Sequence, residues 1–310
     1  MPRTVVIPIP HPAQDPERIA EAALPHARAF AARTGARLLL VSAVEALPTF
    51  DPFARALRQP SAETKALLLR EAEEHLARLA EQPGGEAETI VRWGNPVDEI
   101  MAVVAEQPEP VLALASHARQ GVGRLLLGTV AGQLVRAVPC PVLVVRGTRP
   151  APSEPDLANV VVPLDQSAFA EHALDVGRAA LGGSDLRLHL LHVVEPFPYP
   201  GIDAGGLVAA AEAQARRYLE DVAGPLRADG REVTTDVRIG RAADAIARFA
   251  EEQGAGLVVM ATHGRGGFSR LMFGSVAERL LHESPVPLLL VRPDAAAQAA
   301  TPRETSADRP

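Results

Sequence analysis

The segment 261–275 carries the residues whose types and spacing are best suited to chemistry. It reads ATHGRGGFSRLMFGS, follows a short apolar run, and ends with Gly274 and Ser275 where a helical pattern begins. Glycine lets backbone N–H groups turn towards an anion, and a helix N-terminus adds unpaired donors with a partial positive charge. The segment therefore predicts phosphate binding, with the Ser275 hydroxyl as a further donor. Capping of the helix by Ser275 is the alternative role.

The remaining residues narrow the class of phosphate site. Lys65 is the only lysine of the chain and lies in AETKALLL, a helical context without glycine. A Walker A loop needs a lysine directly after glycine, and a protein kinase needs one on a strand, so both classes are excluded. The dinucleotide fingerprint needs glycines after the first strand of a unit, but this sequence has none there and reads PLDQS at 163–167. The classical NAD- and FAD-binding classes are therefore excluded as well.

The elements that must position this segment alternate between strands and helices. Apolar runs such as LVVM at 257–260 are continuous, which is typical of strands covered on both faces. In the second half we predict strands over 159–164, 186–194, 232–239, 256–262 and 287–291, and helices over 168–181, 207–228, 242–253 and 274–282. This order predicts an α/β fold with a doubly wound, five-stranded parallel sheet and helices on both faces. Ligands of such sheets bind beyond the carboxyl ends of the strands, where Asp165 and the glycine-rich segment lie.

The sequence also repeats itself. Residues 113–146 align with 259–292, with 15 of 34 positions identical, and 94–100 align with 240–246 at the same spacing. The starts align at a spacing of 155 rather than 146, so we place about nine extra residues of the first half at 47–60. We predict tandem domains at 1–147 and 157–293, a linker at 148–156 and a disordered tail at 294–310.

These residues resemble the universal stress protein family, specifically its tandem members. Nucleotide-binding members carry G-x-x-G-x9-G-[ST], and the second half shows A-x-x-G-x9-G-S from Ala261 to Ser275. The resemblance implies strand order 3-2-1-4-5, ATP (or AMP or ADP) as ligand with or without Mg²⁺, and pairing of domains through their last strands. That pairing would give an intrachain pseudo-dimer, with a homodimer as a further option. Carried over by position, the implied nucleotide-binding residues are Pro163, Asp165, Val193, Met260, Ala261, His263, Gly264, Gly274, Ser275 and Val276.

The two halves depart from this pattern to different degrees. In the second half only the first glycine is replaced, by Ala261. In the first half the position of Asp165 is Pro10 and that of Gly264 is Ala118, while Gly128 and Thr129 are retained. We therefore predict one nucleotide site, in the second half, with the first half as a structural or dimerising partner.

No catalytic constellation is evident in the sequence. His263 lacks a neighbouring nucleophile or carboxylate signature, so we expect a regulatory, nucleotide-binding stress-response protein with slow hydrolysis or none. One alternative is a dimerisation or partner-docking module of the same fold that binds no nucleotide. Another is an enzyme such as a nucleotidyl transferase or sulfurtransferase, for which a catalytic loop after the first strand is missing.

Several further patterns are interpreted as structural. His189 and His192 are predicted to point to opposite faces of a strand, so they should not share a metal. Glu71, Glu74 and His75 on one helix are interpreted as a solvated face. We predict no metal site.

Composition limits the partners and the compartment. The net charge of −7 gives no broad cationic field, so we expect no nucleic-acid partner. The single cysteine, Cys140, is interpreted as a buried, inert thiol, and one cysteine fits a reducing compartment, here the cytoplasm. No run of 18 apolar residues occurs, so we expect no membrane partner.

Overall fold

The computed structural model describes residues 3–15, 18–45, 60–116, 129–147, 155–183, 185–196, 204–262 and 274–292. The chain divides into two compact units, with the main boundary after Leu157. The predicted tail and residues 148–154 of the predicted linker lie outside the described residues. The predicted domain boundaries themselves stay predictions.

The first unit alternates strands and helices along the chain. Its strands are β1 (Thr4–Pro8), β2 (Arg37–Val44), β3 (Ala87–Trp93), β4 (Pro110–Ser116) and β5 (Val142–Arg146). Its helices are a short 3-10 helix (Ile19–Ala23), α1 (Leu24–Thr34), α2 (Ala62–Ala80), α3 (Pro96–Glu106) and α4 (Thr129–Ala137). The strands lie in the order β3-β2-β1-β4-β5, and the registered pairs are parallel.

The second unit repeats this plan. Its strands are β6 (Asn159–Pro163), β7 (Arg187–Val194), β8 (Glu232–Ile239), β9 (Leu257–Ala261) and β10 (Leu288–Val291). Its helices are α5 (Ala168–Leu181), α6 (Ala204–Ala228), α7 (Ala242–Glu252) and α8 (Ser275–Glu283). The order is β8-β7-β6-β9-β10, and β6 pairs in parallel with both β7 and β9. The predicted α/β class with a parallel sheet in each half is confirmed.

The central strands are buried because apolar residues occupy both of their faces. All four residues of β10 and all five of β9 are buried, as the continuous apolar runs predicted. The predicted strands of the second half end within one residue of the observed ones. Helix α6 begins three residues before the predicted start, since the glycines at 205 and 206 disfavoured a helix there. Among the described residues, no helix combines the length and apolarity that a bilayer span requires.

The extra residues of the first half are not all where we placed them. Thr4 pairs with Arg37 in the first unit, and Asn159 pairs with Arg187 in the second. The first strands are thus 155 residues apart, but the second strands are only 150 apart. Five of the nine extra residues therefore lie between β1 and β2, in the loop 9–18, and the assignment of all nine to 47–60 is wrong.

One cation–π contact ties α2 to the end of β3. The Nζ atom of Lys65 lies 4.9 Å from the centre of the Trp93 ring. These are the only lysine and the only tryptophan of the chain. A lysine over the face of an indole is attracted by the negative potential of the ring. The contact accounts for the position of this lysine without a role in phosphate binding.

Candidate functional site

The second unit has its topological switch point between β6 and β9. The chain leaves β6 for β7 on one side of the sheet and reaches β9 on the other. At such a point the loops after the two strands diverge and leave a crevice beyond their carboxyl ends. Pro163 ends β6, Met260 and Ala261 end β9, and Asp165 follows Pro163 by two residues. The structure thus brings these four predicted residues to one edge of the sheet.

Asp165 organises the turn that leads into α5. Its Oδ1 accepts hydrogen bonds from the backbone N–H of Ser167, at 3.1 Å, and from the Ser167 hydroxyl. The Ser167 Oγ accepts in turn from the N–H of Ala170, at 3.2 Å. Ser167 is therefore the N-cap of α5, and Asp165 is not. Asp165 is half-buried, at the surface of the crevice.

The end of β7 is attached to the same turn by a histidine. The Nδ1 of His192 lies 2.6 Å from the carbonyl oxygen of Leu164, and the N–H of Leu164 donates to the Leu191 carbonyl at 2.8 Å. Because a carbonyl only accepts, the Nδ1 of His192 carries the proton of this bond. His192 is buried and directly precedes Val193, the predicted adenine contact. In the sequence, its position directly before Val193 was the signal for this role, but His192 was considered there only as a metal ligand.

The start of α8 is held against the end of β9. The N–H of Gly274 donates to the carbonyl of Thr262 at 2.8 Å, and the carbonyl of Gly274 accepts from Glu278 at 2.9 Å. Gly274 therefore occupies the N-cap position, so Ser275 is the first helical residue and not the cap. The Ser275 side chain is exposed and Val276 is half-buried. The first N–H groups of a helix have no partner within the helix, and those of α8 begin where β9 ends.

Some of the predicted site residues cannot be located. His263 and Gly264, with the rest of the segment 263–273, lie outside the described residues. The corresponding Ala118 and Gly128 of the first half do so as well. The role of His263 and Gly264 in nucleotide binding therefore remains an expectation from the family resemblance.

The equivalent position of the first unit is built differently. Pro10 stands where the second unit has Asp165, and the following loop is longer. The nearest carboxylate in that loop, Asp15, accepts hydrogen bonds from the N–H groups of Ile19 and Ala20, at 3.1 and 2.8 Å, and so caps the 3-10 helix. The His11 side chain is buried beside it. Among the described residues of the loop after β1, none offers a carboxylate in the place that Asp165 occupies.

The two strand histidines of the second unit are engaged separately. His189 lies 2.8 Å from Asn159 Oδ1 through Nε2 and 2.8 Å from Thr234 Oγ1 through Nδ1, whereas His192 contacts Leu164. Both ring nitrogens of His189 are therefore occupied by neutral partners. Within the described parts of the chain, no three His, Cys, Asp or Glu side chains are grouped so that they could hold a metal ion.

The structure confirms the burial expected of Cys140 and contradicts the exposure expected of His75. Cys140 is buried, as expected, and burial raises the pKa of its thiol to about 11, so the reactive thiolate is disfavoured. The interpretation of His75 as part of a solvated face is wrong, because His75 is only 5% exposed. It lies on the apolar side of α2 with Ala72, Leu76 and Leu79.

Known proteins resemble both halves of the chain. The model of the universal stress protein family matches residues 11–146 and again residues 157–292. A universal stress protein of Mycobacterium tuberculosis is 32% identical over 199 residues, which make up 62% of this chain and 64% of that protein, less than two thirds of its length.

Solved structures share the fold. A universal stress protein of Archaeoglobus fulgidus covers 93% of this chain and 98% of its own, with a TM-score of 0.65 and 22% identity. A universal stress protein solved in complex with cAMP covers 43% of this chain and 94% of its own, with a TM-score of 0.35 and 22% identity. The first of these likenesses spans both halves, and the second spans less than half of the chain.

Proposed function

The chain belongs to the universal stress protein family, and on that premise we propose that its second half binds an adenine nucleotide in a regulatory role. ATP is the proposed ligand, with AMP and ADP as the other candidates, and Mg²⁺ would accompany the phosphates of ATP. The site would lie beyond the carboxyl ends of β6, β7 and β9.

The observation that carries the proposal is that Asp165 and the start of α8 follow neighbouring parallel strands, β6 and β9, at the switch point. A carboxylate can accept hydrogen bonds from ribose or base, and the N–H groups after Gly274 can donate to phosphate oxygens. The N–H of Gly274 bonds to the end of β9, which fixes the helix start relative to the strand. A nucleotide needs both kinds of group, and only separate strands of one sheet can supply them at one edge.

The first half would bind no nucleotide and would act as a structural or dimerising partner. Pro10 supplies neither a carboxylate nor an N–H group, and Asp15 is engaged in capping the 3-10 helix. We therefore expect one nucleotide per chain.

A regulatory role fits the side chains that surround the proposed site better than catalysis does. Asp165 is engaged with Ser167, and His192 with the Leu164 carbonyl, so each described polar group has a positioning partner. We propose that any ATP hydrolysis is slow and that the protein acts in the cytoplasm. The buried, free thiol of Cys140 agrees with a reducing compartment.

Isothermal titration calorimetry with ATP and Mg²⁺ tests the proposal. We expect one site per chain, and Asp165→Ala should weaken binding about ten- to a hundredfold, the range for losing a hydrogen bond to a charged group. Ser167→Ala is the matched control, since it removes the helix cap but leaves the carboxylate. It should lower stability by about 1 kcal/mol and leave affinity within about threefold.

Three results would contradict this function. Two sites per chain would refute the assignment of the first half. Equal losses in Asp165→Ala and Ser167→Ala would mean that Asp165 acts only through the turn. Neither binding nor a thermal shift at millimolar ATP would leave the partner-docking module of the same fold as the function.

A further inference from the structure

We propose that the first unit carries a proton-sensitive latch, in which His75 holds helix α2 against the 3-10 helix while neutral and releases it when protonated. The latch lies at the carboxyl end of β1 and does not depend on nucleotide binding in the second unit. Comparison of equivalent positions in the two units carries the proposal.

Contacts with equivalent neighbours relate the long helices of the two units. Glu71 and His75 of α2, and Gln214 and Tyr218 of α6 at a spacing of 143, each contact the chain that follows the first strand. The helices that follow the first strands align by their buried residues at a spacing of 150. There Leu24, Ala27, Phe30 and Ala31 correspond to Leu174, Gly177, Ala180 and Leu181, all buried.

One contact between these helices is present in both units but has different chemistry. In the second unit the Tyr218 hydroxyl donates to Glu171 Oε1 at 2.9 Å. The equivalent residues of the first unit are His75 and Glu21, whose Nε2 and Oε1 atoms are 3.5 Å apart. A tyrosine hydroxyl keeps its proton throughout the physiological range, whereas an imidazole gains a charge within it. The first unit has thus a titratable group where the second has a neutral one.

A second equivalent contact repeats the difference. Gln166, which follows Asp165, accepts from Gln214 of α6 at 3.2 Å. The equivalent residues are His11 and Glu71, with Nε2 and Oε2 3.3 Å apart. His11 is 4% exposed, and the Glu71 side chain is 47% exposed. Two contacts of the second unit that contain no histidine are therefore replaced by two histidine–glutamate contacts in the first.

The surroundings of His75 oppose its protonation. Burial lowers the pKa of His75, and Arg78 on α2 and Arg18 and His11 on the preceding chain lower it further. Asp15 acts in the opposite direction, but its carboxylate is engaged by two backbone N–H groups.

Glu21, which faces His75, does not reverse this balance. Burial raises the pKa of Glu21, so its charge is disfavoured there, and Arg18 Nε lies 3.7 Å from the same oxygen that faces His75. Burial and the nearby arginines therefore keep the pKa of His75 below its ordinary value.

The sign of the pH effect follows from this direction. A histidine whose pKa is lower in the folded state than in the unfolded chain binds a proton more tightly once its folded-state contacts are broken. The contact is therefore intact above the ordinary histidine pKa of about 6.5, and release is increasingly favoured below it. Uptake of one such proton on opening raises the equilibrium constant for opening by up to about tenfold for each unit by which the pH falls.

Hydrogen exchange of the full chain tests the latch. Amide protection of α2 and α6 is compared at pH 7.5 and 5.5, after correction for intrinsic exchange rates. We expect opening of α2 to increase at least fivefold, while opening of α6 changes less than twofold. His75→Gln and His75→Tyr remove the titration, and the Tyr variant reproduces the second unit. Both should make the protection of α2 independent of pH over this range.

His26→Gln is the matched control, since His26 is also buried in the first unit and burial lowers its pKa. It should leave the pH dependence of α2 intact. The latch is refuted if acid protects α2, if α2 and α6 open in parallel, or if His75→Gln keeps the wild-type dependence. If both His75 variants fail to fold, as judged by circular dichroism, the wild-type comparison of α2 with α6 still decides.

Discussion

Gly177 of helix α5 packs against Val259 of strand β9, with no room for a side chain between them. A methyl group placed on Gly177 would lie 2.5 Å from Cγ1 of Val259, where ordinary contacts are 3.4 Å or longer. Val259 is buried on the strand that carries Met260 and Ala261 into the proposed site. Because a valine side chain is stiff, the helix must move or the side chain must leave its rotamer. Gly177→Ala therefore tests whether this packing fixes the site.

The expected magnitude combines two opposing contributions. Alanine favours a helix interior over glycine by about 1 kcal/mol. Overpacking of a core costs about 1–3 kcal/mol. We therefore expect Gly177→Ala to destabilise the second unit by about 1 kcal/mol. Val259→Ala alone removes two buried methyl groups and should cost about 2 kcal/mol.

The double variant provides the decisive comparison. With Val259 shortened, the alanine at 177 meets no clash and keeps its helix propensity, so the second change should stabilise by about 1 kcal/mol. The coupling between the sites should then be about 2 kcal/mol, well above the 0.5 kcal/mol expected for independent sites.

The assay must report on the second unit alone. Protection of the α5 amides against hydrogen exchange under native conditions does so. Trp93 lies in the first unit, and its fluorescence during denaturation is the internal control, which should not change. A Gly177→Ala variant that is more stable than wild type, or coupling below 0.5 kcal/mol, would show that the close approach does not constrain the sheet.

The other predictions concern the helix starts at Asn95 and Arg241 and the thiol of Cys140. Asn95 caps α3 by accepting from Val97 and Asp98, so Asn95→Ala should cost about 1 kcal/mol in thermal or chemical unfolding. The equivalent Arg241 of α7 makes no side-chain cap, so Arg241→Asn should stabilise by about 0.5–1 kcal/mol. An Arg241→Asn variant no more stable than wild type would contradict this. Cys140, with its thiol pKa raised to about 11, should resist iodoacetamide at pH 8 in the native protein and react after denaturation, as measured by mass spectrometry. Rapid native alkylation would show that the thiol is accessible.

The sequence predicted the elements well because apolar runs and helix patterns were unusually clear. The repeat supplied a second check, since each strand of one half had a counterpart in the other. Placement of the extra residues failed because no anchor lay between VVIPIP and Gly94. Registers of β1 with β2 and of β6 with β7 were needed to locate the five residues before β2.

Side-chain partners were less accessible to sequence reasoning. The burial of His75 could have been recognised in the sequence, since residues 72, 75, 76 and 79 follow the spacing of an apolar helix face. The many charges around it obscured that pattern. The bond from His192 to the Leu164 carbonyl joins residues 28 positions apart and depends on the register of two strands. No local pattern encodes such a contact.

The stacking of Lys65 on Trp93 gives the protein a built-in spectroscopic pair. Every chain has one side-chain amine and one indole, and the two lie 4.9 Å apart at the first turn of α2. An amine-reactive acceptor dye would therefore label one side chain per molecule, beside the only tryptophan donor. Separation of α2 from the end of β3 would restore donor emission and could be followed in real time, without introducing a single mutation.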